Sequence, residues 1–104
     1  MDEKNLRNLS PLDGRYHDKT EETREIFSEL GLIKHRLRVE VEWLRYFLNN
    51  FRKDLLTPKI TNQLDKLSSE LPDSLALRIK EIEETTNHDV KAVELALAEQ
   101  FEGF

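Results

Sequence analysis

Six apolar residues in the first half of the chain constrain the fold more than any other feature. Ile33, Leu37, Val41, Leu44, Leu48 and Phe51 recur at steps of four, four, three, four and three. That spacing traces one face of an α-helix. Trp43 and Phe47 widen the stripe, so the helix is apolar on two sides and needs more than one neighbour.

The neighbours are legible in the same way. A first helix is predicted from about Asp18 to Leu30, with Ile26, Phe27 and Leu30 inward and Gly31 marking its end. After the long helix, Thr57-Pro58 offers an N-cap followed by proline at the first helical position. Ile60, Leu64, Leu67 and Leu71 carry that helix's stripe, and Pro72 forces a break. The next helix turns Leu75, Ile79 and Ile82 inward and fades at Thr85-Thr86, where β-branched hydroxyl residues disfavour continuation. A last helix starts near Asn87, packs Val90, Val93, Leu97 and Phe101, and has Gly103 as its C-cap. The chain stops one residue later, as expected of a piece cut from a longer protein rather than a natural terminus. The prediction is an all-α single domain over 1–104: an N-terminal arm, 1–17, then five helices over 18–104.

Composition narrows the function classes. Charged residues make up 36% of the chain and the net charge is −5. Lys and Arg are interspersed with Glu and Asp, so no basic face is available to displace counterions from nucleic acid. The run Lys34-His35-Arg36, with Arg38, is read as the wet side of the long helix. Glu81, Glu83 and Glu84 are read as solvated carboxylates. There is no cysteine, which excludes disulfides, thiol catalysis and cysteine zinc sites. His17, His35 and His88 lack ligand spacing, so no metal site is expected; no glycine-rich phosphate loop or serine-nucleophile motif appears, and no cofactor is expected. The start lacks the apolar core of a signal peptide, and no stretch approaches a membrane span. These features predict a soluble cytoplasmic chain with no membrane and no nucleic-acid partner.

Two polar segments fall outside helix packing. Ser10-Pro11-Leu12-Asp13-Gly14-Arg15-Tyr16 presents an arginine and a tyrosine just after an Asp-Gly turn. The planar fork of Arg15 suits a phosphate or carboxylate, and the Tyr16 hydroxyl adds a donor. The competing reading makes Arg15 a surface salt bridge and Tyr16 a core-edge residue. Thr85-Thr86-Asn87-His88-Asp89-Val90 sits at a helix start, where unpaired N–H groups attract anions. The competing reading is a well-capped helix, with Thr86 or Asn87 as the cap and Asp89 completing a capping box from Thr86. His88 favours a ligand, since histidine has no special merit as a cap and can donate to an anion or move a proton.

Those segments, with Val39-Glu40-Val41-Glu42-Trp43-Leu44 and Ile82-Glu83-Glu84-Thr85-Thr86-Asn87-His88-Asp89-Val90-Lys91-Ala92-Val93-Glu94, resemble the N-terminal domain of bacterial adenylosuccinate lyases across nearly the whole chain. That family belongs to the fumarase/aspartase superfamily of helical-bundle enzymes. The resemblance implies elimination of fumarate from adenylosuccinate, giving AMP, and from the succinyl-carboxamide ribotide of purine biosynthesis. It implies a homotetramer whose active sites draw residues from three subunits. Arg15 and Tyr16 would bind the substrate phosphate, and Asn87, His88 and Asp89 would line the pocket for nucleotide or succinyl group. In the family a loop serine is the base and a histidine of the central domain the acid, and neither segment lies within these 104 residues. His88 is then at most an auxiliary catalytic candidate, and the chain alone is expected to be inactive. Two alternatives stand beside this reading: a self-contained helical interaction module, and the N-terminal domain of another fumarate-releasing lyase. Against the second, Asp13-Gly14-Arg15-Tyr16 matches the adenylosuccinate enzymes best.

Overall fold

The computed structural model describes residues 6–102. Among them are five α-helices and no strand: α1, Glu21–Phe27; α2, Glu29–Phe51; α3, Pro58–Ser69; α4, Asp73–Thr86; and α5, Asp89–Gln100. Single 3-10 turns occupy His17–Lys19 and Lys53–Leu55. The all-α expectation holds. No helix among the described residues is long and apolar enough to cross a membrane. The chain divides into two compact units, Met1–Leu32 and Ile33–Phe104.

The first unit is organised by hydrogen bonds, since none of its described apolar side chains is buried. Asp13 and Gly14 donate their N–H groups to Ser10 O and Pro11 O, and Tyr16 N reaches the same Pro11 carbonyl at 2.8 Å. The predicted turn at Asp13-Gly14 is present. Thr20 joins that turn to α1: its hydroxyl lies 3.1 Å from Leu12 O and accepts from Arg24 Nη1 at 2.7 Å. Arg24 also donates to His17 O.

The first predicted helix requires correction. It stops at Phe27, where Ser28 turns extended, and a new helix begins at Glu29. Ser28 Oγ accepts the N–H of Gly31 at 3.0 Å, the role of an N-cap serine. Gly31 therefore lies inside the first turn of α2 rather than beyond the end of a helix. Its lack of a side chain serves close approach: a Cβ there would fall 2.5 Å from Glu25 O and 2.8 Å from Ile26 O. Ile26, Phe27 and Leu30, expected inward, are exposed, because the break at Ser28 ends the helical register that grouped them.

The second unit has a conventional apolar core. Ile33, Leu37 and Val41 of α2 meet Leu64 and Leu67 of α3, Leu75, Ile79 and Ile82 of α4, and Ala92, Val93, Ala96 and Leu97 of α5. Leu44, Leu56, Ile60, Leu71 and Phe101 pack on its margin. Each fully buried Leu, Ile or Val contributes on the order of 1.5–3 kcal/mol relative to exposure. Thr57 caps α3 as expected, its hydroxyl accepting Ile60 N at 3.3 Å. Three arginines tie helices across the surface: Arg36 to Asp89 at 3.1 Å, Arg45 to Asp65 at 2.9 Å and Arg78 to Glu99 at 3.0 Å. No charged side chain is buried among the described residues.

Two inward expectations in this unit are corrected in detail. Phe51, at the last position of α2, is 70% exposed and turns to Phe47, with ring centroids 5.2 Å apart. Val90 is exposed in the first turn of α5, whose inner face is made instead by Ala92 and Ala96 beside Val93 and Leu97. Small residues let that helix approach its neighbours, and a search for large apolar side chains passes over them. Helix α5 ends at Gln100, with Phe101 as C-cap, and Gly103 lies outside the described residues. Trp43, at 60% exposure, stacks on Tyr46 at 5.9 Å, forming with Val39, Phe47 and Phe51 an exposed apolar face on α2.

Candidate functional site

Arg15 and Tyr16 belong to the first unit, and Asn87, His88 and Asp89 to the second. The two groups are described separately.

Arg15 follows the turn anchored on Pro11. Its guanidinium lies 4.7 Å above the Tyr16 ring centroid, a cation–π contact that holds the fork without consuming its N–H donors. Arg15 makes no ion pair among the described residues, so the salt-bridge alternative does not describe it. Tyr16 is 41% exposed and does not fill a core edge. What results is a cationic, donor-rich tip on a braced turn.

The second segment is built by the junction of α4 and α5. Asn87 closes α4 in the left-handed conformation, φ 53° and ψ 31°, with its N–H on Glu83 O at 2.8 Å. Asparagine is among the few non-glycine residues that adopt this geometry readily. The chain then turns extended at His88, which is the N-cap of α5. Its Nδ1 accepts Lys91 N at 3.1 Å. The expectation that Thr86 or Asn87 would cap this helix is therefore corrected: the cap is His88, a residue with no special merit for the task. The ring nitrogen occupies the place of an Asn or Asp side-chain oxygen. A neutral imidazole accepting at Nδ1 carries its proton on Nε2, which is left as a donor.

Thr86 supports the turn: its hydroxyl donates to His88 O at 3.2 Å and accepts His88 N at 3.3 Å. It does not bond Asp89 N, so no capping box forms. Asp89 Oδ1 accepts Val90 N at 2.8 Å, and Oδ2 meets Arg36 Nη2 at 3.1 Å. These contacts hold the Asp89 carboxyl below its ordinary value, the Val90 N–H first and the Arg36 charge second, with burial opposing them. The N–H groups of Val90 and Lys91 are thus both taken by the segment's own side chains. The start of α5 is thereby closed by its own segment, with Asn87 and His88 exposed beside it.

Sequence alone assigns Arg36 to a solvated run. Its place beside Ile33 and Leu37, at the edge of the buried stripe, is the signal that such a side chain reaches across to another helix. Among the described residues, no group of His, Asp and Glu has the geometry to hold a metal ion.

No family model matches the chain. It is similar to the adenylosuccinate lyase of Haemophilus influenzae, with 48% identity over 97 residues, 90% of this chain and 21% of the relative. The lyase of Vibrio cholerae is 45% identical over 95 residues, 88% of this chain and 21% of the relative. That of Escherichia coli is 43% identical over 108 residues, 96% of this chain and 23% of the relative. The chain spans about a fifth of the length of these curated relatives. In sequence, the chain is related to the adenylosuccinate lyases through their N-terminal fifth.

Proposed function

We propose that residues 1–104 act as the N-terminal, substrate-binding domain of an adenylosuccinate lyase, with 1–17 as an arm. The observation that carries this is 48% identity over 90% of the chain to a lyase bearing that name. The reaction is a β-elimination: a base takes the proton beside a carboxylate, the carbon–nitrogen bond breaks, and an acid protonates the departing nitrogen. Adenylosuccinate yields AMP and fumarate, and the succinyl-carboxamide ribotide reacts alike. Arg15 and Tyr16 grip the phosphate; Asn87, His88 and Asp89 line the part that takes nucleotide or succinyl group. The base and acid lie outside these residues, so the chain alone does not turn over.

The exposed aromatics of α2 and the open Phe27 and Leu30 suit a chain that is one part of a larger helical assembly, a cytoplasmic homotetramer. The test is fumarate release by the full-length protein carrying this chain, followed by absorbance. Release that falls with Arg15→Ala supports the reading. A full-length protein that releases no fumarate from adenylosuccinate overturns it.

A further inference from the structure

The polar side-chain atoms of Thr86, His88 and Asp89 are held almost wholly from within. Thr86 bonds the His88 backbone, His88 bonds Lys91 N, and Asp89 bonds Val90 N. Each of these contacts stays inside one turn of chain, so together they shape the turn without orienting it on the rest of the unit. One side-chain contact comes from elsewhere in the fold: Arg36 Nη2, on α2, to Asp89 Oδ2 at 3.1 Å.

Arg36 is well placed for that task. It lies between Ile33 and Leu37, both almost fully buried, so its backbone is carried by the buried face of α2. Its side chain is more sheltered than that of Asp89, 29% against 46% exposed. The Asp89 carboxylate has one oxygen on α5's own first turn and the other on α2, and so joins the two helices at the point where His88 leaves the fold.

We propose that Arg36 is a positioning residue, which through Asp89 sets the orientation in which Asn87 and His88 are presented. The inference rests on the proposed substrate-binding role of Asn87 and His88. Partly exposed ion pairs add little to global stability, so the consequence belongs in the geometry of the site rather than in the melting temperature. A displacement near 1 Å in a positioning group costs up to about a hundredfold in rate.

The experiment has a structural and a kinetic arm. In the 104-residue chain, Arg36→Ala should shift the amide resonances of Asn87, His88 and Lys91, whereas Arg45→Ala, which breaks the corresponding Asp65 pair between α2 and α3, should leave them in place. In the full-length lyase, Arg36→Ala should lower kcat by about tenfold or more with a lesser change in KM, and Arg36→Lys should recover part of it. Arg36→Ala combined with His88→Asn should lose less than the product of the two single losses, because both act at one site. Unmoved amide resonances, or a kcat loss that multiplies with that of His88→Asn, would overturn the proposal. If His88→Asn itself leaves kinetics unchanged while Arg36→Ala still moves the resonances, the fault lies in the substrate-binding reading.

Discussion

Gly31 and Glu25 approach so closely that a Cβ on Gly31 would stand 2.5 Å from the Glu25 carbonyl oxygen. Glycine in a helix ordinarily gives up about 0.5–1 kcal/mol relative to alanine, so a propensity argument makes Gly31→Ala stabilising. The contact reverses that sign. The obstructing atoms are backbone carbonyls, which cannot swing aside as a side chain does. Gly31→Ala should destabilise the chain by about 1–3 kcal/mol, read from urea denaturation at neutral pH. An unchanged or higher midpoint would show that the α1–α2 corner yields without cost.

Two residues of the same apolar stripe should respond very differently to truncation. Leu37 is buried among α2, α3, α4 and α5 residues, and Phe51 is exposed. Leu37→Ala should cost about 2–5 kcal/mol, while Phe51→Ala should stay within about 0.5 kcal/mol. Thermal melts of both variants check this, and comparable losses would mean that Phe51 is covered in solution.

The long helix, the Thr57-Pro58 start and the Pro72 break are legible because each depends on residues adjacent in sequence. Periodicity places Leu37 and Phe51 on one face, but burial depends on what lies opposite, and spacing does not encode that. The Ser28 break is hidden for a related reason. Serine is common inside loops and helices alike, and Gly31 three residues on draws the predicted helix end to itself. At the site, the two polar segments are readable as exceptions to the apolar pattern, and the resemblance gives them roles. The Arg36–Asp89 pair spans more than fifty residues of sequence, so only the fold brings it together. His88 as N-cap escapes a sequence reading because cap preference is a statistical ranking, whereas the hydrogen bond asks only for an acceptor at the right place.

Asp89 should give the chain's stability a small dependence on acid. Its carboxyl is held below the ordinary value of 3.8, first by the Val90 N–H and then by Arg36. A group depressed in the folded state stabilises fully above its unfolded value, and that contribution disappears as pH falls through the folded value. Urea unfolding of the wild type and Asp89→Asn should therefore differ near neutrality and converge as pH drops below the ordinary carboxylate range. A difference that is constant with pH would assign the effect to packing rather than charge.

On the proposed lyase reading, Arg15 and His88 should fail in different ways in the full-length protein, and the structure alters how the second must be tested. Arg15 is proposed to grip a phosphate that does not change during elimination, so its contact strengthens ground state and transition state alike. Losing it raises KM and leaves kcat comparatively intact. A charge-assisted hydrogen bond of this kind is worth about 1.5–3 kcal/mol, or roughly 10- to 150-fold in KM. His88 is proposed to stand nearer the reacting group, so its loss should lower kcat more than it raises KM. Yet His88 also caps α5 through Nδ1, and removing a cap costs about 0.5–2 kcal/mol. His88→Ala therefore confounds a frayed helix with a missing imidazole. His88→Asn separates them, since asparagine is among the best N-caps but cannot replace the ring's Nε2–H. The expected result is a melting temperature near wild type for His88→Asn, a lower one for His88→Ala, and depressed kcat in both. If His88→Asn restores turnover together with stability, the histidine is a cap and nothing more.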